Sequence, residues 1–132
     1  MQKYIFFPLN MSHSSFVWSY DGQKASGHYL NGNPIEMRDA VPQNAAFKLH
    51  TTTLYYAKFI VAIFKDHSKN IHEMLRPHVK LPIISPDSIK NVPNELSDAL
   101  SWGLGWGIQS INQTDSFWHW GDNGGFKSFI LA

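Results

Sequence analysis

The chain contains no cysteine, which excludes a disulfide framework, a cysteine-based zinc finger and a thiol nucleophile. No apolar run approaches the roughly 18 residues that a membrane-spanning helix requires. Neither sign of charge dominates: 11 Lys and Arg against 10 Asp and Glu leave a net charge of +1. That balance gives no electrostatic basis for binding nucleic acid or an anionic membrane. Residues 1–30 lack the basic start, apolar core and small-residue cleavage site of a signal peptide. Ser-x-x-Lys and Gly-x-Ser-x-Gly, two settings that activate a serine, do not occur either. Internal repeats and low-complexity tracts are absent.

What is present is globular: 43% of residues are hydrophobic and 16% charged. A complete domain of this length buries roughly two-thirds of its unfolded surface. Both ends open directly into apolar sequence, Met1 to Pro8 at the start and Phe126 to Ala132 at the finish. Domain termini are normally polar and loosely held. The expectation is therefore a piece of a longer protein, with the 126–132 strand edge open to self-association.

Along the chain, a short helical end leads into a turn-rich link, Pro8 to Phe16. Residues 18–44 carry Gly, Asn, Asp and Pro every few positions, marking turns and loop around a short strand near Gly27–Leu30. Thr51 to Thr53 offer a hydroxyl cap to a helix over Leu54–Lys65, whose apolar residues run almost all round. Such a helix is expected to pack on more than one side. Asn70-Ile71-His72-Glu73 has capping-box spacing and opens a short helix ending before Pro77. Pro82, Pro86 and Pro93 break the next stretch into loop. From Trp102 the hydrophobic period changes, predicting strands near 105–111, 116–121 and 126–132, the first two joined at 112–115. Helix and loop over 1–100, then antiparallel strands over 101–132, is an α+β pattern.

Several signals carry no chemistry. Gly103-Leu104-Gly105-Trp106-Gly107 precedes a strand instead of linking strand to helix, so it is not a dinucleotide loop; its glycines let Trp102 and Trp106 pack. His72-Glu73 is followed by Arg76 where a zincin needs histidine. His67, His72 and His78 share no helical face, so no metal site is expected, and no cofactor. Asn10-Met11-Ser12 and Asn112-Gln113-Thr114 are glycosylation sequons that matter only in a eukaryotic secretory setting.

The segment closest to chemistry is His119-Trp120-Gly121, followed by Asp122 and a Gly124-Gly125 turn. His119 is the side chain here that changes charge near neutral pH, and Gly121 permits close approach of a ligand backbone. The plain alternative is a strand-turn-strand with a surface histidine.

Taken in order, these segments resemble the serine hydrolases of the class C β-lactamase and penicillin-binding-protein type, with related esterases and D-amino-peptidases. Pro8-Leu9-Asn10-Met11 followed by Ser14-Ser15-Phe16 is similar to that family's Pro-Leu-Gly-Met segment and its following Thr-Ser-Phe. Asn44 to Thr52, running into Tyr56-Ala57-Lys58-Phe59, resembles its Ala-Gly-Gly-Leu-x-Ser-Thr stretch and the next helix. Met74-Leu75-Arg76-Pro77 and Gly103-Leu104-Gly105-Trp106-Gly107 follow in the family's order. His119-Trp120-Gly121 falls where it has Lys-Thr-Gly or His-x-Gly, and Gly125-Phe126 matches the Gly-Phe of the next strand. Asn10 replaces the usual glycine, and Phe47-Lys48 replaces a Gly-Leu pair, so that loop is expected to differ.

The resemblance implies a β-lactamase/transpeptidase-like fold, incomplete in residues 1–132. The nucleophile motif Ser-x-x-Lys and the base motif Tyr-x-Asn are expected upstream of Pro8, outside this chain. It implies acyl transfer on an amide, lactam or ester, as in a β-lactamase, D-Ala carboxypeptidase or esterase. The partner would be a small-molecule or peptide substrate of the intact parent, in a periplasmic or extracellular setting. His119 and Asp122 would be catalytic, the first hydrogen-bonding substrate or the tyrosine–serine cluster, the second supplying an oxyanion-hole N–H. Trp120 and Gly121 would line the substrate. The chain alone would be inactive. The rival expectation is a non-catalytic binding or assembly module that has lost its nucleophile.

Overall fold

The computed structural model describes residues 1–17, 25–35, 44–46, 48–81 and 99–132. These form two compact units, one of Met1–Lys65 with Gly121–Ser128, the other of Asp66–Trp120 with Phe129–Ala132.

In the first unit, a single π-helical turn, Gln2–Phe6, buries Phe6, which stacks on Phe16 with ring centroids 5.7 Å apart. Asn10 takes φ +50°, the left-handed conformation that glycine adopts most readily and asparagine tolerates. Ser15 and His50 exchange backbone hydrogen bonds of 2.9 and 2.8 Å, and the neighbouring Ser14 and Thr51 hydroxyls meet at 2.7 Å. Helix α1 (Thr53–Lys65) follows. Its cap is the Thr52 hydroxyl, which accepts from the Tyr55 N–H at 3.4 Å. Among the described residues the helix is buried on one side, at Ile60 and Ile63, while Leu54 and Val61 are exposed. The strand expected near Gly27–Leu30 is instead one isolated bridge between His28 and Pro34, closed by Tyr29 N–H to the Asn33 carbonyl. The Ile35 N–H donates to the Gly27 carbonyl at 2.7 Å on the other side of the bridge.

In the second unit, helix α2 (Lys69–Met74) is capped by Ser68, whose hydroxyl accepts from the Ile71 N–H. The predicted Asn70 start is therefore displaced, because Asp66 and Ser68 already close the preceding turn. The helix ends before Pro77 as expected. The proline-rich stretch at 82, 86 and 93, and Phe47, lie outside the described residues.

The sheet follows, in the order β1 (Val79–Lys80), β2 (Leu100–Trp102), β3 (Gly107–Ile111), β4 (Thr114–Asp122) and β5 (Lys127–Leu131). Neighbours are antiparallel, and Phe117 and Ala132 exchange backbone bonds of 2.8 and 2.9 Å to place β5 beside β4. The sequence missed β1 and β2, which are short and exist through pairing with each other and with β3.

One row across the sheet is buried. Ser101, Ile108 and Phe117 are in register and 7%, 1% and 4% exposed. The next row, on the opposite face, is Trp102, Gly107 and Trp118. Trp102 and Trp118 meet edge to face at 5.6 Å across the glycine, and a Cβ on Gly107 would collide with the Trp118 ring. The glycine run therefore packs tryptophan as the sequence suggested, although Trp118, not Trp106, covers Gly107. Ile111 pairs with Thr114, which shortens the connection to Asn112 and Gln113, both left-handed with φ +50° and +65°. Two consecutive left-handed residues suit a type I′ hairpin.

Candidate functional site

His119, Trp120, Gly121 and Asp122 occupy the last four positions of β4. The first two belong to the second unit and the last two to the first, so each pair is built with its own surroundings.

His119 is exposed, one residue past the end of the β3–β4 ladder. Its imidazole lies 5.9 Å from the Trp102 ring and 6.1 Å from the Trp106 ring, the latter at 87° between planes. Trp106 is 6% exposed and itself edge-on to Phe117 at 4.9 Å. The strand pleat turns Trp120 to the other side from His119. Continuing the pairing back from Phe117 opposite Ala132 sets Trp120 opposite Phe129, and both are largely exposed. An exposed aromatic pair of this kind offers a stacking surface.

Gly121 stands opposite Ser128, whose hydroxyl would lie 2.7 Å from a Cβ at this position. Any side chain at 121 would press on β5. Asp122 forms an ion pair with Lys127 directly across the hairpin, and its other oxygen accepts from the Gly124 N–H at 3.1 Å. The Lys127 ammonium, followed by the Gly124 N–H, holds the Asp122 carboxyl below the usual carboxylate range. The carboxylate is thus engaged within the turn. Asn123 N–H to the Phe126 carbonyl, 2.9 Å, closes a two-residue Gly124-Gly125 turn with Gly124 at φ +68°. Gly125 lies against the 27–35 turn, where a Cβ would come within 2.7 Å of the His28 nitrogen.

The sequence reading missed Lys127, Ser128 and the two indoles at His119. The spacing of Asp122 and Lys127 about a Gly-Gly turn was the available signal for the ion pair. It also overlooked one literal Tyr-x-Asn triplet, Tyr29-Leu30-Asn31. In the structure this triplet is a turn: Asn31 Oδ1 accepts from the Asn33 N–H at 3.0 Å, and Tyr29 is 59% exposed. Among the described residues no three His, Asp or Glu side chains converge to hold a metal ion. No described helix is long and apolar enough to cross a membrane.

Comparison of the whole fold supplies the deciding observation. The chain superposes on the octameric penicillin-binding protein homologue from Pyrococcus abyssi with a TM-score of 0.70 and 22% identity. The fold is similar to part of that protein's fold. The match covers 99% of this chain and 29% of that one. No family model matches the sequence, and no curated protein matches it.

Proposed function

We propose that residues 1–132 form one segment of a β-lactamase-related serine hydrolase, close to class C β-lactamases and penicillin-binding proteins. It would act by acyl transfer on an amide, lactam or ester. The observation that carries this reading is the fold match over 99% of the chain, joined to the order of motifs from Pro8 to Gly121. A serine contributed by the rest of the protein attacks the substrate carbonyl. The oxyanion is held by that serine's own N–H and by the Asp122 N–H, and water then releases the acyl group. His119 hydrogen-bonds the substrate or the tyrosine–serine cluster. Trp120 and Gly121 line the bound substrate, and Gly121 keeps the strand open to it. One oxyanion donor is worth about 10²–10³ in rate, so half of the hole without a nucleophile gives no useful catalysis.

The test is direct. The 132-residue chain is expected to hydrolyse neither a chromogenic cephalosporin nor a p-nitrophenyl ester above buffer, and to form no adduct with penicillin or a fluorophosphonate. A full-length protein carrying Ser-x-x-Lys is expected to do at least one of these, with His119→Ala lowering kcat/KM. Stoichiometric labelling of the chain at Ser14, Ser15 or Ser128 would show the nucleophile to be elsewhere than proposed. A folded full-length protein that takes no label would move the reading to a binding module.

Self-association is part of the same proposal. The Pyrococcus homologue is octameric, and β5 ends the sheet with Phe129 and Leu131 exposed. Sedimentation should show dimers or larger species. A monomer whose 126–132 amides exchange slowly would exclude pairing through this edge.

A further inference from the structure

The His119 imidazole is an exposed ring whose contacts are aromatic and lead straight into the core. Trp106, almost fully buried, presents itself at 87° to the imidazole and rests on Phe117, one of the most buried side chains of the sheet. Trp102 contacts the imidazole from a second direction, at 55°, and is itself set by Trp118, which lies over Gly107. Trp102 is the last residue of β2 and Trp106 lies in the segment between β2 and β3, which the Gly103 N–H closes by donating to the Trp106 carbonyl at 2.7 Å. That segment is anchored in turn by Leu104 N–H to the Met74 carbonyl, 2.9 Å. A Cβ at Gly103 would approach the same carbonyl to 2.6 Å.

We propose that Trp102 and Trp106 are positioning residues for His119, fixing the orientation of an imidazole that would otherwise swing freely at the end of the ladder. The inference rests on the reading that His119 faces substrate. Edge-to-face contact between aromatic rings is directional because the positive edge of one meets the negative face of the other. The Trp106 contact, at 87°, is of this kind, and the tilted Trp102 contact, at 55°, adds a second restraint on the ring. An imidazole acting on a substrate is useful only when one nitrogen points at the right atom. The glycines at 103 and 107 have a purpose beyond turning the chain. Gly103 lets the backbone close on the Met74 carbonyl, and Gly107 makes room for Trp118, the ring that meets Trp102.

The test begins with nuclear magnetic resonance of the 132-residue chain. Nuclear Overhauser effects are expected from both indoles to the His119 ring protons, with those protons displaced upfield by the ring currents. Trp102→Leu should remove its share of the displacement while the amides of Ile108 and Phe117 stay protected. Trp102→Phe should restore part of it. His119 ring protons at free-histidine positions, without contact to either indole in a protected fold, would overturn the proposal. In a full-length protein with a nucleophile, Trp102→Leu is expected to lower kcat/KM by about two- to tenfold, the range of one aromatic pair. The same substitution made in His119→Ala should then have no further effect. Full additivity of the two would assign Trp102 a merely structural role and overturn the proposal. An inert His119→Ala with the ring contacts intact would overturn the functional reading while leaving the packing as described.

Discussion

The seam joining the 10–15 loop to helix α1 and the row crossing β2, β3 and β4 hold distant parts of the chain together by different means. The seam is polar: Ser12 to Tyr55 at 3.0 Å, Ser14 to Thr51 at 2.7 Å, and the Lys58 ammonium to the Asn10 carbonyl at 2.8 Å. Around it, His13 stacks on Tyr55 and Lys58 lies over the same ring. The row is buried and mostly apolar, with Ile108 lying between Phe117 and the one polar member, Ser101. Hydrogen bonds in water exchange one partner for another and leave a small net gain, whereas burial of a branched side chain removes apolar surface from water outright. The row should therefore govern stability and the seam should govern local geometry.

The largest effect should come from Ile108→Ala, which opens a cavity under the sheet and should cost about 2–5 kcal/mol. Urea unfolding, with amide exchange at Phe117 as a local probe, reads it; a cost below that of the seam variants would reverse the comparison. Gly107→Ala comes next, at about 1–3 kcal/mol, because the added methyl must displace the Trp118 ring. Its signature is an altered near-ultraviolet circular dichroism spectrum as well as a lower midpoint.

Ser14→Ala is smaller, at about 1 kcal/mol. Ser14 is 3% exposed, and the substitution leaves the Thr51 hydroxyl only its long 3.5 Å bond to the Thr52 carbonyl. Amide exchange should loosen at the Ser15–His50 bridge and not at Ile108. The smallest effect belongs to the exposed Asp122–Lys127 pair. Its folded carboxyl titrates below the unfolded value, so its contribution is present above the ordinary carboxylate range and is lost as pH falls through the lowered folded value. Thermal melts of Lys127→Met and the unaltered chain should converge in acid and at high salt. Curves that stay parallel would show that the pair does not stabilise the turn.

Legibility in the sequence followed the range of the forces involved. Helix α1 was readable because its threonine cap and its unbroken run without Gly or Pro are local properties. The strands after Trp102 were readable from their alternation and their turns. Strands β1 and β2 carry little alternation of their own and depend on partners, so local reading passed over them. The start of α2 was misread because Ser68, one residue before the helix, competed successfully with Asn70. His119 to Asp122 could be picked out as a segment. The surroundings that give those residues their settings could not, since Trp102 and Trp106 reach His119 through strand pairing, and Lys127 reaches Asp122 through a turn.

The connections at 112–113 and 124–125 are as short as a hairpin permits. They make β3, β4 and β5 a meander whose partners are close in sequence, so little chain entropy is lost in bringing them together. The Ser15–His50 bridge spans 35 residues and must wait for a slower search. Folding speed is then set by the separation between these two kinds of contact. The meander is the part of the molecule able to assemble on the timescale of a hairpin, microseconds, while the Ser15–His50 bridge closes afterwards.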